Sequence, residues 1–309
     1  MGKETRKLYD LIDCQDQEAV FAEITKIISL LGADRVMARF QQVYEDIVRL
    51  FNGEYPGYRA SNTKYHNLEH TIMVTLATAR LVHGSIKGGF RFTPEHILLG
   101  LLAALFHDAG LIQTKQDKNG TGAKYTIGHE KRSIRFMRKN LEKKNFTRQQ
   151  MDDCAQLIKC TNLDIDAADI FFRSQEIGNL GKIVGSADLL AQMADRLYLE
   201  KLILLFKEFE EAGIPDFDSE IELLEKTEGF YKNVTRKRLA NGFGNIAANM
   251  VNHFKDRWDI DRDLYSESIE KNINYLKTIL NNGKNNQLFY RKYLRRGGLL
   301  EKIDGERDS

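Results

Sequence analysis

Only three prolines (Pro56, Pro94 and Pro215) interrupt 309 residues. Long stretches are therefore free of the residue that most disrupts a helix interior. Through those stretches apolar side chains recur three and four positions apart, the period of an amphipathic helix. Between Gln17 and Leu31 they are Ala19, Val20, Ile24, Ile27 and Ile28, with Gly32 placed to end the helix. A second run goes through Phe40, Val43, Ile47, Val48 and Phe51, with Asp34 placed to cap it. The expected fold is all-α.

Start signals divide the rest. Thr93 before Pro94 supplies a hydroxyl cap and a proline at the first helical position. Thr147 with Gln150, and Ser219 with Glu222, have the spacing of capping boxes. The second box is expected to open a long helix through Phe230, Tyr231 and Leu239 toward Phe254. Gln175 to Phe206 reads as one or two helices, and Ser266 to Leu280 as another. The end of the chain, LFYRKYLRRGGLLEKIDGERDS, reads as a basic amphipathic helix docked by Leu288, Tyr290 and Leu294, then a charged tail. No internal repeat is visible. The expected organisation is N-terminal helices over 1–60, a core over 61–205 and a C-terminal helical extension over 206–309, in one continuous globular unit.

Composition excludes several classes. A net charge of +2 gives no reason to invoke nucleic acid or an anionic membrane. The longest apolar run, Ile97 to Phe106, is about half of a membrane-spanning helix. Cys14, Cys154 and Cys160 are too few and too scattered for a disulfide framework. The opening MGKETRKLYD lacks the apolar core of a signal peptide. A soluble protein of the cytoplasm is expected.

The stretch LLAALFHDAG, Leu101 to Gly110, carries the chemistry. A histidine and an aspartate at the buried end of a greasy helix are costly unless something pairs with them. A divalent cation uses both, taking an imidazole nitrogen and a carboxylate oxygen together. Three further residues suit such a centre. His66 and His70 lie four apart and share a face if the helix starts before His66; if Asn67 is the cap, His66 stands just outside the first turn. Asp188, in VGSADLLAQ, is an aspartate among apolar neighbours that needs a reason to be there. His129 opens a helix after a Gly- and Lys-rich loop. His83, His96 and His253 have no acidic partner suggested by spacing and are read as structural. Lys124, Lys131 and Arg132 are read as a solvated face, and Tyr65 as a packing aromatic.

The order His … His-Asp … Asp resembles the HD-domain superfamily of metal-dependent phosphohydrolases. Tyr65 to Thr71, YHNLEHT, is similar to a motif of the cyclic-nucleotide phosphodiesterases within it. The resemblance covers roughly Tyr65 to Arg196. It implies an HD helical bundle with extra helices at both ends, in which His70, His107, Asp108 and Asp188 bind a first metal and Asp108 bridges to a second. It also implies catalytic roles for His66, as general acid, and for His129, at a second metal, its water or the phosphate. The metal would be Mn, Fe, Co, Ni, Zn or Mg, one or two ions, since mixed nitrogen and oxygen donors do not select one. Ala109, Gly110 and Leu111 follow the HD pair where those phosphodiesterases carry another histidine. Phe243, Phe254 and Trp258 do not match their purine clamp. The substrate class therefore stays at a small-molecule phosphoester, either a phosphodiester or a nucleotide phosphate. Two other readings remain open: a non-catalytic nucleotide-binding signalling module, and a di-iron oxygenase built on related ligands.

Overall fold

Side chains that satisfy the first free N–H groups mark where most of the helices begin. In the computed structural model, which describes residues 5–283 and 293–298, Asp16 caps α1 (Gln17–Leu30) by accepting from the backbone of Glu18 and Ala19. Asn67 caps α3 (Leu68–Lys87), and Thr93 caps α4 (Pro94–Phe106). Thr147 and Gln150 form the expected reciprocal box on α6 (Arg148–Lys159). Ser174 caps α7 (Gln175–Ala194). At the start of α11 (Leu264–Gly283) the carboxylate of Asp263 accepts from the backbone of Tyr265 and Ser266. The remaining helices are α2 (Met37–Phe51), α5 (His129–Glu142), α8 (Tyr198–Ala212), α9 (Glu220–Phe230) and α10 (Met250–Trp258). Among the described residues the regular structure is all helical, with two isolated bridges, Asn52 to Ala60 and Tyr58 to Thr114, pinning the connector before α3.

Helices α3, α4 and α7 form the centre of the molecule. Every residue of α4 from Ile97 to Phe106 is buried, as its unbroken apolar run requires. Helix α3 packs on α1, α4, α7 and α10, while α6 covers α4 and α7. The apolar core is one contiguous cluster reaching from Leu8 to Leu294, so both ends of the chain share it with the middle. Among the described residues no helix is long and apolar enough to cross a membrane.

Four local expectations need correction. Asp34 does not cap α2: it begins a 3-10 turn, Asp34–Val36, and its carboxylate accepts from the Ser29 hydroxyl at 2.6 Å. Ser219 caps α9, but Glu222 bonds the backbone N–H of Asp218, so the box is not reciprocal. The long helix from Ser219 toward Phe254 is broken. Past Phe230 it widens into π turns, Tyr231–Thr235 and Arg238–Gly242, and then Gly244 and Asn245 adopt left-handed φ of 60° and 57°. The break turns Phe243 inward against Gly185 of α7, a packing gain that helical periodicity cannot register. His83 does have an acidic neighbour, Asp256, at 3.4 Å. The basic amphipathic helix at the chain's end, with Leu288 and Tyr290, falls largely outside the described residues. Within 293–298, Leu294 is buried and Arg296 pairs with buried Glu200 at 2.8 Å.

Candidate metal centre

The three central helices each deliver part of one cluster. His70 lies in the first turn of α3, held there by the Asn67 cap, which accepts its N–H at 3.0 Å. Since Asn67 is the cap, His66 stands just outside that helix. His107 and Asp108 follow the last residue of α4, and Asp188 lies in the second half of α7. His107 Nε2 is 3.3 Å from His70 Nε2 and 3.1 Å from Asp108 Oδ2. His70 Nε2 is 3.5 Å from Asp108 Oδ2 and 3.3 Å from Asp188 Oδ1. His107 Nε2 to Asp188 Oδ1 is 3.7 Å. Nitrogen and oxygen donors at about 2.0–2.2 Å from one ion stand roughly 3.0–3.6 Å from each other, so these separations suit a shared cation.

Hydrogen bonds on the far side of the rings fix what faces inward. His107 Nδ1 is 2.8 Å from the Ala104 carbonyl, and His129 Nδ1 is 2.8 Å from that of Thr126. A carbonyl only accepts, so each Nδ1 carries the proton, and the neutral ring aims the lone pair of Nε2 at the cluster. His129 Nε2 is 3.2 Å from Asp108 Oδ1. Asp108 Oδ2 is buried without a properly aligned hydrogen bond. Lone pairs against two carboxylates repel unless positive charge is added. In the protein alone, protons supply it. Burial would lower His107 and His129, yet the carboxylate of Asp108 outweighs it and raises both to about 9. Burial would likewise raise Asp108, but the two imidazoles hold it well below the usual carboxylate range. Asp188 is also lowered, by His70 and His107 against burial. A divalent cation would meet the same need at once.

Glu208 of α8 is the residue that sequence reasoning missed. Its Oε2 is 2.6 Å from His66 Nδ1, and its Oε1 accepts the Tyr65 N–H at 2.7 Å. Burial lowers His66, but the Glu208 hydrogen bond and the charge of Asp108 raise it overall above its usual value. Within KEFEE, Glu208 looks like one more surface acid, and nothing in the spacing marks it as 4% exposed. Arg132 is a second departure from expectation. It is not on a solvated face: its Nε donates to the Gly110 carbonyl at 2.6 Å and its guanidinium stacks on Tyr125 at 3.5 Å. Lys124 pairs with Asp117 at 2.7 Å, whereas Tyr65 is buried as a packing ring.

Gly110 and Ser133 lock α5 onto the His107–Asp108 turn. Ser133 Oγ accepts the Gly110 N–H at 2.8 Å and donates to the His107 carbonyl at 2.5 Å. A Cβ on Gly110 would collide with the His129 carbonyl and come within 2.7 Å of the Ser133 nitrogen. Gly110→Ala is therefore expected to destabilise the fold by about 1–3 kcal/mol, read as a lower urea midpoint, and to displace His129 from Asp108. An unchanged midpoint would show that α5 is not held this tightly.

Residues 24–252 match a family model described as Npun_R2479-like. The matched stretch contains every residue of the centre and ends within α10. No curated protein matches the chain.

Proposed function

The chain belongs to the Npun_R2479-like family, and we propose that it is a metal-dependent phosphohydrolase of the HD type. The observation that supports this most is the meeting of His70, His107 and Asp108, whose ligand atoms are 3.1–3.5 Å apart, with Asp188 Oδ1 at 3.3 Å from His70 and 3.7 Å from His107. Those four would hold the cation, with His129 beside Asp108. A divalent ion there supplies a nucleophilic water at neutral pH and screens the charge of a phosphate. His66 then holds the proton that the leaving oxygen needs. Glu208 takes Nδ1–H of that ring, which leaves Nε2 as the proton-donating atom. This dyad favours hydrolysis over the oxygenase reading, because oxygen chemistry has no leaving alkoxide to protonate. The substrate is a small phosphoester, a phosphodiester or a nucleotide phosphate.

The test is elemental analysis and a phosphoester panel on one purified sample. Stoichiometric metal with turnover that is lost in His107→Ala and Asp188→Ala supports the reading; nucleotide binding without turnover favours the signalling module.

Stability against pH offers an independent check on the centre. In metal-free protein His107 and His129 titrate near 9 when folded and near 6.5 when unfolded. Raised values mean that their stabilisation is complete below about 6.5 and lost as pH rises through 9. Tm of the chelated protein is expected to fall by about 5–10 °C over that window. A divalent metal should restore most of it at pH 9. A flat profile in the chelated protein would contradict this account.

A further inference from the structure

Arg80 lies on α3 ten residues beyond His70, about 15 Å along the helix, and it is only 1% exposed. Its Nη1 donates to the Tyr265 hydroxyl at 3.2 Å. Its Nε and Nη2 are sealed from solvent and have no acceptor. Among the described residues no carboxylate pairs with it, and the rings of Phe254 and Tyr265 lie 5.8 and 5.9 Å from its guanidinium carbon.

A guanidinium keeps its charge in a folded protein, so burial without a counter-charge is costly. Neither the nearby thiol nor the nearby imidazole supplies one. The Cys14 thiol is pushed up to about 11 by burial and stays neutral. His253 is held well below its usual range by burial and by Arg80 itself. Its Nε2 is also buried and unpartnered, which leaves a third nitrogen of this interface without a partner in the chain.

Nε–H and Nη2–H lie parallel on one edge of the planar group, the edge that grips two oxygens of a carboxylate. We propose that this edge of Arg80 is an internal binding site for a small planar carboxylate-type oxyanion, enclosed by α3, α10 and α11. The anion would neutralise the guanidinium and tie the helix that carries His70 to the C-terminal part of the fold. The site does not depend on the hydrolase reading.

The test uses the full chain stripped of metal, melted in sodium formate and in sodium chloride at equal ionic strength and pH. Formate is expected to raise Tm above its value in chloride by about 2–4 °C, saturably. Arg80→Met removes the charge and the fork and should abolish the difference. Arg80→Lys keeps the charge without the fork; it should also lose the preference for formate, and it decides the matter if the methionine variant does not fold. Equal Tm in both salts for the unsubstituted protein would overturn the proposal, leaving water alone at the edge. A preference for formate that survives in either variant would equally overturn it.

Discussion

Asp108→Ala is expected to release the metal and to lower phosphoester hydrolysis by at least about 10²–10³-fold. Its two oxygens together face three imidazoles: one oxygen is 3.1 Å from His107 and 3.5 Å from His70, and the other is 3.2 Å from His129. Removing the carboxylate also removes the strongest influence that raises His107 and His129, so the fall in metal-free Tm between pH 6.5 and 9 should shrink markedly in the same variant. Asp108→Asn separates charge from shape. It retains an oxygen acceptor but should lose metal and pH dependence together. Elemental analysis, Tm and turnover on the same samples check the set, and an alanine variant that keeps both metal and rate would remove the basis for the hydrolase.

The second large effect concerns the proton. His66→Ala should lower kcat by about 10²–10⁴-fold for alkyl phosphoesters. For p-nitrophenyl esters the loss should be below about 10-fold, because that leaving group departs without a proton. Glu208→Gln should fall between, since the amide still accepts from Nδ1 while the negative charge is gone. Glu208 contributes to raising His66, so its neutral replacement should move the alkaline limb of the pH–rate profile to lower pH. If His66 only packs beside Tyr65, both substrate classes would lose activity equally.

Much of the centre was legible because it is written in short-range patterns. His107 and Asp108 end an apolar helix, and Asp188 interrupts one. Glu208 was hidden for the opposite reason: it lies 142 positions from His66 in a run of charge, and only packing shows which of its acids turns inward. Arg80 and Arg132 were hidden likewise, since a basic residue on a helix reads as solvated until its neighbours are known.

The helices and most of their starts are encoded locally, through Asn67, Thr93 and Thr147, because caps and apolar periodicity act within about four residues. Tertiary structure alone decided where the chain after Phe230 breaks, that Glu208 meets His66, and that Arg80 is enclosed. Those outcomes depend on contacts between helices far apart in the chain, where burial in a shared core outweighs local preference.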